Sequence, residues 1–203
     1  MHIFPRLLIA AFVLCVTSLA TQAQAPTTRI RGTIQSVEGN ILTVTTREGP
    51  VVKITLNDPL TVGTVKKAEL SAITAGTYVG AAAAPGPDGT LSALEVLIFP
   101  EAARGTGEGN RPWDLTPNSA MVNANVDAVV QGNAGNVLTL KYKDGSVTVA
   151  VPPGTPIVTL APAAREDLKP GQTVFIGAAA RAADGTLSTS RVTVSKDGVA
   201  PPM

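Results

Sequence analysis

From residue 29 onward, hydrophobic and polar side chains alternate in short runs that break at glycine, proline or clustered charge. Alternation with a period of two is the signature of half-buried strands. Residues 29–37 alternate, Glu38, Gly39 and Asn40 turn the chain, and in 41–46 a β-branched run sets Ile41, Thr43 and Thr45 against Leu42, Val44 and Thr46. Arg47, Glu48 and Gly49 close a hairpin with 51–56, because glycine accepts the positive φ that such turns require. One helix is predicted over 66–74, with Ala68, Leu70, Ala72 and Ile73 inward and Gly76 as its stop. Strands follow at 78–84, where small side chains admit a second layer, and at 91–99, joined by a turn over 85–89.

The same order returns further along. At an offset of about 96, GNILT (39–43) lies over GNVLT (135–139), REG (47–49) over KDG (143–145), and DGTLS (88–92) over DGTLS (184–188), which is an internal duplication. The second copy predicts strands at 126–130, 137–142 and 146–151 and a helical turn at 163–168, with Pro162 at its first position. Lys169, Pro170 and Gly171 end that turn, and strands at 174–180 and 187–194 complete the unit. Three strands, a short helix and two strands is the succession of the five-stranded OB-fold. A small open sandwich or another small barrel has the same strand count. The expectation is therefore an all-β protein with one short helix per repeat, a tandem pair of small OB-like five-stranded β-barrels. The repeats span 29–100 and 124–196, with a linker at 101–123 and a tail at 197–203.

The start of the chain changes the setting. Arg6, an apolar run over 7–19 and then TQAQAP give charge, hydrophobic stretch and small-residue exit in the order of a secretory signal peptide. The run falls short of the roughly 20 residues a membrane-spanning helix needs, and no later run replaces it. Cleavage after Ala25 would satisfy the small-x-small rule but leaves Pro26 next to the cut, so cleavage after Ala23 is preferred and 1–23 is the leader. A periplasmic location follows. Cys15 is a poor lipid-attachment site, since Leu14 precedes it and apolar sequence follows.

Cys15 and His2 are the chain's single cysteine and histidine, so the processed protein has neither. That excludes a disulfide framework, a thiolate nucleophile, a His-based triad and the usual zinc or copper sites. Loss of Arg6 brings the 16 basic residues level with the 15 acidic ones. A neutral chain has no electrostatic footprint for nucleic acid or an anionic membrane. Its aromatics are Tyr78, Phe99, Trp113, Tyr142 and Phe175 only, too few for a base-stacking groove.

Between the copies, 101–115 is rich in glycine and charge, follows neither periodicity, and contains Trp113, the only tryptophan. Such a segment is either a connector whose tryptophan packs into a groove, or a ligand site. In the second case Arg104, Glu108, Arg111, Trp113 and Asp114 form a polar rim around an aromatic platform, as small-molecule pockets at domain boundaries do. The GTGEG at 105–109 lacks the Lys and Ser or Thr of a phosphate loop.

RGTIQSVEGNILTV in the first repeat, IFPEAARGTGEGNRPWDL in the linker, NANVD at 123–127, VPPGTPIV at 152–158 and the ending SKDGVAPPM carry a likeness over the whole chain. It resembles a group of exported proteobacterial proteins of unknown function with tandem OB-like β domains. Some of them are labelled metal ABC transporter permeases, a label this sequence does not support, since a permease must cross the bilayer with repeated apolar helices. A His often precedes RPWD in that group, and here the position is Asn110. The resemblance implies a compartment and a fold, without an activity or a cofactor.

With export and no catalytic constellation, the expected function is a non-catalytic periplasmic binding or interaction module of the cell envelope. Its partner would be an envelope protein or a small molecule, with no cofactor and no metal. Two other classes stay open. One is a carboxylate-dependent or divalent-cation-dependent envelope hydrolase using Glu101, Glu108 or Asp114. The other is a soluble accessory component of a metal transport system.

Overall fold

A computed structural model describes residues 26–86, 90–132 and 135–201. The leader, Cys15, His2 and the tip of the first DGTLS turn lie outside the described residues.

The chain is all-β. Its strands are β1 (Thr27–Glu38), β2 (Ile41–Thr46), β3 (Val51–Lys67), β4 (Tyr78–Pro85), β5 (Leu91–Ile98) and β6 (Gly109–Pro112). They continue with β7 (Ala120–Gly132), β8 (Gly135–Tyr142), β9 (Gly145–Val151), β10 (Ile157–Ala163), β11 (Thr173–Arg181) and β12 (Leu187–Val194). The β-branched alternation forms β2, β5, β8, β11 and β12 close to their expected bounds, whereas β3 runs on to Lys67, β7 begins at Ala120, and β6 and β10 form where no strand was expected. Gly49 takes the positive φ of 105° that its hairpin turn demands.

Neither expected helix forms. The stretch 66–74 yields only a single 3-10 turn at Leu70–Ala72, and 163–168 yields one at Arg165–Asp167. One isolated turn fixes several backbone angles for a single hydrogen bond, so the flanking residues go where pairing is richer. Lys66 and Lys67 stay in β3 opposite Thr159 and Val158, and Pro162 lies in β10 opposite Gly63. The short turns still act as plugs, because Ile73 and Leu168, each just after its turn, are buried in a core.

The strands close into two rings, and the rings do not follow the repeat boundary. The first ring runs β1–β2–β3–β12–β11 and back to β1, with β3 and β12 parallel. The second runs β7–β8–β9–β5–β4 and back to β7, with β5 and β9 parallel. Each ring thus takes three strands from one half of the chain and two from the other. In place of two repeats that each close their own barrel, the halves exchange their last two strands. The crossing is β3 against β10, antiparallel from Val62 opposite Ala163 to Lys67 opposite Val158, with β10 also parallel to β5. These contacts join both rings in one continuous sheet path.

Each ring has its own apolar interior. Ile30, Ile34, Leu42, Val44, Ile54 and Ile176 fill the first, and Val79, Val96, Val122, Leu138, Leu140 and Val149 the second. A third, small cluster of Val65, Leu97 and Val158, with Phe99 and Leu160 against it, lies at the crossing, outside both interiors. The linker is not structureless. It holds a 3-10 turn at Glu101–Ala103, and β6 pairs with the start of β7 from Gly109 opposite Asn123 to Pro112 opposite Ala120.

Candidate functional site

Two consecutive parts of the linker attach to different rings. Its first part is tied to the second ring. Arg104 forms an ion pair with Glu101 (2.6 Å), donates to the Gly76 carbonyl (3.0 Å) and bonds the Asn125 side chain. Hydrogen bonding from Arg104 lowers the Glu101 carboxyl below its ordinary range. Glu108 accepts a hydrogen bond from the Lys143 backbone N–H (3.1 Å), and the Tyr78 hydroxyl donates to the Thr106 carbonyl (3.2 Å).

The second part reaches the first ring. The hairpin of β6 and β7 is closed by the Trp113 N–H donating to the Ser119 carbonyl (2.7 Å), while the buried Ser119 hydroxyl accepts from the Thr116 N–H (3.1 Å). That tip lays Trp113 on β1, with the Arg29 guanidinium 4.0 Å from the ring centroid, Arg31 at 5.5 Å and Arg111 at 5.8 Å. Cation–π contacts of this kind contribute about 0.5–2 kcal/mol each. Asp114 pairs with Arg29 (3.2 Å) and Arg31 (2.8 Å), and Arg47 donates to the carbonyls of Asp114 and Leu115. Partial burial raises the Asp114 carboxyl, but the hydrogen bonds and charges of Arg31 and Arg29 outweigh it and leave it below the ordinary aspartate range.

Of the five residues the sequence singled out, the fold therefore gathers Arg111, Trp113 and Asp114 and leaves Arg104 and Glu108 on the second ring. The three carboxylates considered for hydrolysis, Glu101, Glu108 and Asp114, are held by different partners, Arg104, the Lys143 backbone and Arg29 with Arg31. Among the described residues no group of three or more His, Cys, Asp or Glu side chains could hold a metal ion.

Beside Trp113 a cleft of about 690 Å³ opens along the seam between the rings, within the range of small-molecule pockets. Phe175 and the small residues Gly177 and Ala178 of β11 line it from the first ring, and Leu97, Phe99 and Leu160 from the crossing. The cleft reaches a break in the β3–β12 ladder. Thr189 pairs with Leu56 but Arg191 with Thr61, so residues 57–60 bulge out and Asn57 joins the lining. Bulges of this kind re-aim side chains next to sites. The Thr189 hydroxyl closes this one by donating to the Arg191 carbonyl (3.0 Å).

Sequence reasoning missed Arg29, Leu97, Phe175 and Arg191, which also line this cleft. Arg29 and Arg31 carried a signal, since they alternate on one face of the first predicted strand. Glu95 was missed too. It is 1 % exposed on β5, neither carboxylate oxygen has a hydrogen-bond partner, and burial pushes its pKa up to about 8 although the Arg31 charge pulls the other way. A lone acid in the apolar strand 91–99 was its visible mark.

Compared with protein-family models, with curated proteins and with solved structures, the chain matches none. Among the described residues no helix is long and apolar enough to cross a membrane.

Proposed function

We propose that this chain is a periplasmic, non-catalytic binding module of the cell envelope, exported through residues 1–23, with a small-molecule ligand held in the seam cleft. The observation that carries the reading is the cleft itself, with the chain's only tryptophan in its wall and an apolar lining of Leu97, Phe99, Leu160 and Phe175. Arg29, Asn57, Arg111 and the Ser and Thr side chains of β12 set polar groups around that apolar body, and convergent polar groups on an apolar lining are what a ligand pocket uses to orient its ligand.

Each ring is read as an OB-like barrel whose last two strands come from the other repeat. Supporting this, both rings run in the order first, second, third, fifth and fourth strand, and a residue after a 3-10 turn, Leu168 or Ile73, is buried in each. The resemblance to exported OB-like envelope proteins belongs to the same reading.

The test is a small-molecule library followed at once by melting temperature and by Trp113 fluorescence. A ligand at 100 times its Kd stabilises by about 2.7 kcal/mol, and one bound in the cleft also shifts the emission. A library that moves neither signal, together with a pull-down from envelope extract that recovers no partner, overturns the reading.

A further inference from the structure

The lining of the cleft is uneven in charge. Arg29, Arg111 and Arg191 all contribute to it, and no Asp or Glu does. The carboxylate of Asp114, next to Trp113 in the chain, is already taken by Arg29 and Arg31. Arg111 forms no ion pair with any described residue, and its guanidinium donates only to the Gly107 carbonyl. The Arg191 side chain makes neither an ion pair nor a hydrogen bond to a described residue. Arg29 and Arg111 flank the same indole, at 4.0 and 5.8 Å from its centroid, so two like charges are held close beside an apolar surface. Burial, and next the charge of Arg29, pull the Arg111 pKa below its ordinary value, the direction expected of a cation short of a counter-charge.

Two features therefore meet in one cavity, an apolar floor without polar demands and a cationic wall without enough anions. A neutral hydrophobe would satisfy the floor and leave Arg29 and Arg111 repelling each other. A compact inorganic anion would satisfy the arginines and leave the floor wet. Resting on the binding reading above, we propose that the cleft selects an amphipathic anion, with an aliphatic or aromatic body on Leu97, Phe99, Leu160 and Phe175 and a single anionic head at Arg111. Arg29 stays with Asp114 as the fixed side of the head site. Arg111 turns from the Gly107 carbonyl to the head and forms the charge-assisted, fork-shaped contact that guanidinium makes with carboxylate. Arg191, exposed and with no side-chain hydrogen bond or ion pair to a described residue, adds attraction at the opening. Trp113 lies against the arginines that meet the head and reports occupancy.

The experiment uses the processed full-length protein and three probes of one chain length, decanoate, decan-1-ol and decylammonium, with calorimetry and Trp113 fluorescence as readouts. Decanoate is expected to bind about tenfold or more tightly than decanol, the discrimination a charge-assisted hydrogen bond supplies, and decylammonium most weakly. Raising salt should narrow the gap. Arg111→Gln should bring decanoate down to the level of decanol. Arg191→Gln, at an exposed position whose side chain makes no hydrogen bond or ion pair to a described residue, should weaken decanoate in the same sense by a smaller factor. The melting temperature of each unliganded variant establishes that it is folded. Decanol binding as tightly as decanoate, or decanoate unaffected by both substitutions, overturns anion selection and leaves the cleft as a site. Failure of all three probes to bind or to move Trp113 emission overturns the cleft as a site as well.

Discussion

The two rings are alike inside and unlike outside. Counted from the bulge in the first hairpin of each, Gln35 in one and Asp127 in the other, the inward positions Ile30, Gly32 and Ile34 of the first ring correspond to Val122, Ala124 and Val126 of the second. The outward position between the first two of these is Arg31 in one ring and Asn123 in the other, and the position before them is Arg29 against Met121. Asn123 turns to the linker, its amide donating to the Thr106 carbonyl (2.9 Å), whereas Arg29 and Arg31 hold Trp113 and Asp114. The matching inward positions are those each interior needs for packing. Arg29 and Arg31 have no cationic counterpart in the second ring, so the site is asymmetric.

The sharpest way to break the comparison is to cut the chain. Residues 26–118 and 119–203, expressed apart, each lack two strands of their own ring in the native arrangement. Neither should give the amide spectrum of the intact protein, and equimolar mixing should restore it. A half that reproduces its share of the native spectrum alone would remove strand exchange.

The next effect concerns Glu95, buried on β5 with no hydrogen-bond partner for either carboxylate oxygen. With a folded pKa of about 8, it keeps its proton in the folded state while the unfolded chain loses it above the ordinary carboxylate range. Stability is therefore lost as pH rises from the ordinary value toward 8, by on the order of 4 kcal/mol, and is constant above that. Glu95→Gln should abolish this slope, so that urea unfolding at pH 5 and pH 8 gives nearly equal stabilities. A wild-type protein as stable at pH 8 as at pH 5 would remove the buried neutral acid.

Leu168→Ala tests the plugs. This residue lies in the second half of the sequence but fills the first ring, and its truncation should cost about 2–4 kcal/mol. Hydrogen exchange should speed most in β1, β2 and β3; faster exchange centred on β7 and β8 would contradict the assignment. The smallest effect is at the arginine cluster. Asp114→Asn removes a half-exposed carboxylate, so screening limits the loss to about 1 kcal/mol, and the loss should shrink further in high salt. A cost of several kcal/mol would make the cluster a structural core and not the edge of a site.

Much of this was legible beforehand. Alternation located the edges of β2, β5, β8, β11 and β12 to within a residue or two. The linker stood out by having no period, and Arg111, Trp113 and Asp114 within it do come together. Arg104 and Glu108, chosen by the same criterion, went elsewhere, because neighbours along an extended segment need not share a face. β10 was hidden in VPPGTPIVTLAPA, where prolines argue against a strand and only pairing with β3 and β5 makes one.

What the sequence by itself determined is the strand, its inward face and its turns, since period-two burial and glycine at positive φ are local requirements that each segment meets alone. Which strands meet is a different matter. Two copies with the same pattern offer β3 the same kind of partner in β5 or in β12, and no local preference separates them. The choice was decided by the continuation of β3 to Lys67 and its pairing with β10, which carries β4 and β5 across to the other ring. From that crossing come the seam, its cleft and the unbalanced arginines, contacts between residues far apart in the chain that exist only once both rings have closed.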